Sequence, residues 1–143
     1  MQFTEHEMTA GVQAVARRAY EAMPKMLRRR AGGLEWNGLK RHQRFRYIST
    51  AGDLVLPGLA ALPERPVVGR RPQFTREELA AAGEAACRAR AEARAPGRWE
   101  RIAARRRRRL AEACADQLAV AVAAMPVRPD PEDPESFVVP DHL

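Results

Sequence analysis

Five consecutive arginines, at 105–109, are the densest set of chemically competent side chains in this sequence. A guanidinium is permanently charged and offers a planar fork of donors that fits carboxylate and phosphate oxygens. On a helix, Arg105, Arg108 and Arg109 lie about 140°, 160° and 100° from Leu110, so they can face solvent and meet an anionic partner. Arg41, Arg44 and Arg46, preceded by arginines at 28–30, could extend that patch, and Trp36, Phe45 and Tyr47 are interleaved with them. Arg106 and Arg107 fall within about 60° of Leu110, on the apolar side. Counted in the same frame, the earlier stretch has Gln43 and Arg44 at that level. Arg106, Arg107 and Gln43 therefore form a candidate polar site between helices. One reading is that the arginine stems cover apolar surface, with Glu84 or Glu92 as partners; the other is an anion site between hairpins. Phosphate contact needs only clustered cations. No helix-turn-helix spacing, zinc-finger pattern or RNA-recognition motif accompanies them.

The remaining reactive residues form no catalytic pattern. His6-Glu7 begins like a zinc-protease helix, but position 10 is Ala where the second ligand must stand. Glu77 and Glu78 are first-turn acids that suit a helix dipole. Gly32-Gly33 lacks the strand and lysine of a phosphate loop. Cys87 and Cys114 belong to adjacent helices. Counted about the turn at Pro96-Gly97, Cys87 faces residue 106, which leaves eight residues, about 12 Å, between the thiols. No catalytic, cofactor-binding or metal-binding residue is assigned, no cofactor is implied, and the chain reads as a non-enzyme.

Composition bounds these readings. The 143 residues suffice for one domain with a core. Only 6% are aromatic, which favours an Ala/Leu-rich helical protein over a β-sandwich. Arginine supplies 23 of the 25 basic residues, a bias that a GC-rich genome also imposes, so the charge alone is weak evidence for nucleic acid. Two unpaired cysteines suit a reducing, cytoplasmic setting. The first ten residues lack the features of a signal peptide, and no apolar run is long enough to span a membrane.

Stepping along the chain, Thr4 with Glu7 reads as a capping box, stapled by Phe3 and Met8. The predicted stripe of this helix is Met8, Val12, Val15, Ala19, Ala22 and Met26, with Pro24 ending it and the 28–33 segment forming a basic turn. Residues 36–63 read as a second helix with stripe Trp36, Leu39, Tyr47, Ala51 and Leu54, and with a break at Gly52-Asp53. An extended linker follows. Thr75 and Glu78 repeat the capping device at an offset of 71. The third helix has a small-residue stripe, Leu79, Ala82, Gly83, Ala86, Ala89 and Ala93, fit for close helix approach. Residues 99–126 read as one long helix matching 36–63 at an offset of 63, with Trp36 on Trp99 and Asp53 on Asp116.

The predicted fold is all-α: a compact bundle of four main helices, built as two tandem related hairpins, with an extended acidic C-terminal tail. Residues 1–128 form one helical domain, with hairpins at about 3–63 and 74–126. Residues 129–143 are the Pro-rich tail. The tail holds five acids and no base, against 25 basic and 13 acidic residues before it, which predicts that it folds back on the basic surface through Phe137, Val138 and Val139. The expected function is that of a non-catalytic interaction or scaffold protein, whose partner is another protein or a second copy. The alternative is a sequence-nonspecific nucleic-acid binder using the arginine-rich helix. A membrane partner is not expected.

Overall fold

Thr4 and Thr75 each open a long helix in the same way. In the computed structural model, which describes residues 2–132, Thr4 Oγ1 accepts the Glu7 amide at 3.1 Å and Glu7 Oε1 accepts the Thr4 amide at 2.9 Å. Thr75 and Glu78 reproduce both bonds at the same distances. Two amides that a helix start leaves without partners are thereby satisfied at each end. The helices so begun are α1 (Glu5–Glu21) and α4 (Arg76–Arg94). After α1 come α2 (Lys25–Ala31), a 3₁₀ turn (Trp36–Gly38) and α3 (Arg41–Ala61). After α4 come α5 (Arg98–Arg101) and α6 (Ala104–Ala123). Among the described residues there is no strand, and α1, α3, α4 and α6 make a four-helix bundle.

Each long helix predicted from a tryptophan is interrupted early. The Leu39 amide bonds the Trp36 carbonyl at 3.1 Å, and the Ile102 amide bonds the Trp99 carbonyl at 3.1 Å. Both then turn extended, at Leu39–Lys40 and Ile102–Ala103, before α3 and α6 begin. The break expected at Gly52-Asp53 does not occur: α3 runs through it and through Pro57. Pro57 has no amide to give the Asp53 carbonyl. Arg90 Nη2 on α4 donates to that carbonyl instead, at 3.3 Å. The arginines at 28–30 lie on α2 and not in a turn, and the chain reverses at Gly32, whose φ of 137° is open to glycine.

The core pattern recurs at both offsets. Ala51, Gly52, Val55, Gly58, Leu59 and Leu62 are buried, and so are Cys114, Ala115, Leu118, Ala121, Val122 and Met125, each 63 residues on. The predicted α1 stripe holds only at its start. Val12 and Val15 are buried, but Ala19, Ala22 and Met26 are exposed, because the seam moves to Ala16 and Tyr20. Tyr20 is drawn in by its hydroxyl, whose one proton is shared between the carbonyls of Arg28 and Gly33, and by a tilted contact with Trp36 and an edge contact with Tyr47. On α4 the stripe holds through Ala86, after which Ala91 replaces Ala89 and Ala93.

The ends of the hairpins cross over. Arg128, after α6, donates to Glu7 of α1 at 2.9 Å, while Arg65, after α3, pairs with Glu78 of α4. Arg128 also stands over the Phe3 ring and Arg65 over the Phe74 ring, each at 5.8 Å, and the two rings are 6.2 Å apart. The α1–α6 and α3–α4 contacts are exchanged in the same sense. Where α4 meets α6, a Cβ on Gly83 would sit 2.7 Å from the Ala111 carbonyl oxygen, so the backbones all but touch. At the corresponding point between α1 and α3, the larger residue is Val12 and the small one is Gly52, with an ordinary 3.8 Å spacing.

The linker after α3 is not extended throughout: it bends at Val68–Arg70, with Gly69 at a φ of 72°, where the Gly69 amide bonds the Arg128 carbonyl at 2.8 Å. Val68 is exposed and Val67 half-buried. Phe137, Val138 and Val139, on which the tail-docking expectation rests, lie outside the described residues. No helix among the described residues is long and apolar enough to cross a membrane.

Candidate functional site

Because α3 and α6 both run antiparallel to α1, their N-terminal halves, and with them both arginine clusters, lie toward the same end of the bundle. None of Arg41, Arg44, Arg46, Arg105, Arg108 and Arg109 has a carboxylate partner among the described residues. All are exposed except Arg44, which is half-buried. The structure does not gather the six into one cavity. Arg41 and Arg44 line a groove of about 770 Å³ between α1 and α3, while Arg108 lines another, of about 590 Å³, between α4 and α6.

The two grooves are built from corresponding positions. Ala10 and Gln13 of the first answer to Ala81 and Glu84 of the second, 71 residues on. Arg44, Phe45 and Ile48 answer to Arg107, Arg108 and Ala111, 63 residues on. Their charge differs. The α4–α6 groove carries Glu77, Glu84 and Glu112 against Arg107 and Arg108. Its counterparts of those acids in the first half are His6, Gln13 and Ser49. The α1–α3 groove is lined by Arg17, Arg41 and Arg44 with no carboxylate. Arg17 does bond Glu21 at 2.9 Å, but both side chains are about half exposed, so water screens that pair.

Phe45 forms one wall of this groove and is 66% exposed. Every other aromatic ring among the described residues is buried or half-buried. Trp36 and Tyr47, interleaved with the arginines in sequence, pack with Tyr20 at centroid distances of 5.8 and 5.1 Å. They belong mainly to the core and leave Phe45 as the free platform. Gln13 and Asn37 add neutral hydrogen-bonding groups to the lining. Arg17, Gln13 and Asn37 were not legible as site residues. Arg17 carries a weak signal, standing one helical turn beyond Gln13 on the polar face of α1.

Of the residues of the predicted polar site between helices, Arg107 lines the α4–α6 groove. Arg106 is exposed. Arg107 is half-buried and shares the α4–α6 groove with Glu84, but its ion contact is with Glu100 at 3.5 Å and its guanidinium lies over the Trp99 ring at 5.9 Å. Glu92 instead accepts the amides of Gly97 at 2.7 Å and Trp99 at 3.3 Å. Gln43 closes the start of α3, its Oε1 accepting the Lys40 amide at 2.9 Å. Leu110, from which the arginines were counted, is itself exposed, and the buried seam of α6 runs through Ala111, Cys114, Ala115 and Leu118; the break before α6 also shifts that seam along α4.

The same shift brings the cysteines together. Cys87 Sγ is 3.6 Å from the Leu110 carbonyl oxygen, on the side of α6 that carries Cys114 one turn on. Residue 106 is therefore not its neighbour. Burial pushes the Cys87 thiol up and the Cys114 thiol up to about 11, so both stay protonated and unreactive at neutral pH. At the opposite end of α4, the Thr75 amide, helped by Arg65, holds Glu78 below its ordinary carboxylate value. Among the described residues no three His, Cys, Asp or Glu side chains converge as a metal site would require. No protein-family model, curated protein or solved structure matches this chain.

Proposed function

We propose that this protein is a non-catalytic helical interaction module that engages an anionic partner through the arginine-rich end of its bundle. The observation that carries this reading is the absence of carboxylate partners, among the described residues, for Arg41, Arg44, Arg46, Arg105, Arg108 and Arg109. Elsewhere the chain matches cation to anion across long sequence separations, as at Arg128–Glu7 and Arg65–Glu78. Unmatched guanidiniums at one end leave a positive field that steers and holds an anionic surface. The two hairpins are read as copies of one unit, with the exchanged ion pairs joining them. On that reading the acids were kept on one copy's groove and dispensed with on the other's.

The test measures binding of three labelled probes by fluorescence anisotropy: oligothymidylate, a short DNA duplex and a polyglutamate peptide. Affinity for at least one should fall steeply between about 50 and 200 mM salt. Replacing the six arginines by Gln should flatten that slope. An unchanged slope, or no binding to any probe at about 150 mM salt, would overturn the proposal. A second reading, self-association, is favoured by exposed Met26 and Leu27 on α2. Sedimentation velocity decides it: a dimer that Met26→Glu dissociates supports this reading, and a monomer removes it.

A further inference from the structure

We infer that the groove between α1 and α3 is a binding site for single-stranded nucleic acid, with an unstacked base on Phe45 and the flanking phosphates on Arg41 and Arg44. This rests on the proposed anionic partner and names its class.

The α1–α3 and α4–α6 grooves are alike in construction. They share their framework positions, so shape alone does not distinguish them. The α4–α6 groove neutralises itself with Glu77, Glu84 and Glu112. The α1–α3 groove has no acid in its lining and stands beside the first turns of α3, where the helix dipole is positive. The helix dipole acts in both grooves, since Ala104 opens α6 in the second as Arg41 opens α3 in the first, so the lack of acids is what favours an anion between α1 and α3.

Charge alone would suit an acidic peptide or a duplex as well as a single strand. Phe45 separates these. Its ring is mostly in water, against the hydrophobic preference that buries Trp36 and Trp99. A base freed from a duplex can cover that ring, and base–aromatic stacking adds affinity without reading sequence. A duplex keeps its bases inside its own stack, and a run of acidic side chains has no flat ring to offer. Gln13 and Asn37 provide donors and acceptors for base edges or sugar hydroxyls beside the ring. A groove of about 770 Å³ falls in the range of roughly 300–1,000 Å³ typical of clefts that enclose a compact ligand.

The experiment uses the full chain and labelled oligothymidylate, with duplex DNA and polyglutamate as competitors. Phe45→Ala should weaken oligothymidylate binding about tenfold while leaving the salt slope unchanged. Phe45→Trp should restore binding, and its added emission should be quenched when the strand binds. Replacing Arg41 and Arg44 together by Gln should lower the salt slope by about 1.4. Phe45 is exposed, so these variants should melt as the wild type does, which circular dichroism checks. Wild-type affinity for Phe45→Ala, with binding lost on replacing Arg105, Arg108 and Arg109 by Gln, would overturn the groove and leave the broader proposal standing. Tighter binding of duplex or polyglutamate than of oligothymidylate would overturn the single-strand assignment alone. Failure of all three probes would overturn both.

Discussion

Gly83 and Gly52 are both buried mid-helix glycines, yet alanine should act on them with opposite sign. Replacing glycine by alanine inside a helix gains about 0.8–1 kcal/mol of propensity at either site. At Gly52 the new methyl would meet only Leu56 and Val12 side-chain carbons, both at 3.8 Å, an ordinary contact. That gain should therefore appear almost whole. At Gly83 the methyl would lie 2.7 Å from the Ala111 carbonyl oxygen and 3.1 Å from the Ala115 amide nitrogen. Both are backbone atoms, so no rotamer change relieves the overlap and α4 must move off α6. Overpacking costs about 1–3 kcal/mol, and a 2.7 Å approach to backbone belongs in the upper part of that range, about 2–3 kcal/mol, so after the propensity gain a net loss of about 1–2 kcal/mol remains. At about 3 °C per kcal/mol for a chain of this size, Gly83→Ala should melt about 3–6 °C lower and Gly52→Ala about 2–3 °C higher. Far-UV circular dichroism on heating, with urea unfolding for the free energies, measures both. Equal stabilisation by the two substitutions would refute the close α4–α6 register, and with it the alignment of the two grooves.

Other consequences follow from single contacts. Thr75→Ala should cost on the order of 1 kcal/mol by urea unfolding, because the Glu78 amide loses its acceptor, and Thr4→Ala should cost as much or less. Glu7→Gln keeps an acceptor for the Thr4 amide but leaves Arg128, only 16% exposed, without its counter-charge; a loss of about 2 kcal/mol is expected, and Tm measurement checks it. Glu78 is held below the ordinary value of 4.5, so its contribution is present above that pH and fades as pH falls; Glu78→Gln should flatten the acid limb of stability against pH. Cys114 titrates near 11 in the fold against an ordinary 9.0, so stability should decline as pH rises between those values, and Cys114→Ser should remove that part of the decline.

Helix starts were legible because their chemistry is local. Thr4 with Glu7 and Thr75 with Glu78 declare themselves within four residues, and both boxes form. The all-helical class followed from periodicity and composition. Helix interiors were harder. Nothing local at Leu39 or Ile102 marks a break, since each results from tucking a tryptophan into the core. The converse error arose at Gly52-Asp53, where turn-forming residues stay helical because Val12 packs there and Arg90 takes the carbonyl freed by Pro57. The break at Ile102 displaced the cross-helix count made about Pro96-Gly97, which is why Cys87 meets Leu110 rather than residue 106. The site was half legible. Arg41 and Arg44 stood out by charge, but Gln13 and Arg17 enter the groove only through antiparallel packing of α1 on α3, which a linear pattern does not encode.

The most direct measurement is an amide chemical-shift titration of the full chain with oligothymidylate at about 150 mM salt, near the physiological range of screening. The groove account predicts that shifts concentrate on Gln13, Arg17, Asn37, Arg44 and Phe45, on both walls at once, and that α4 is little affected. Shifts centred on residues 104–109 with the α1–α3 groove unchanged would contradict it, as would an absence of shifts anywhere at saturating strand.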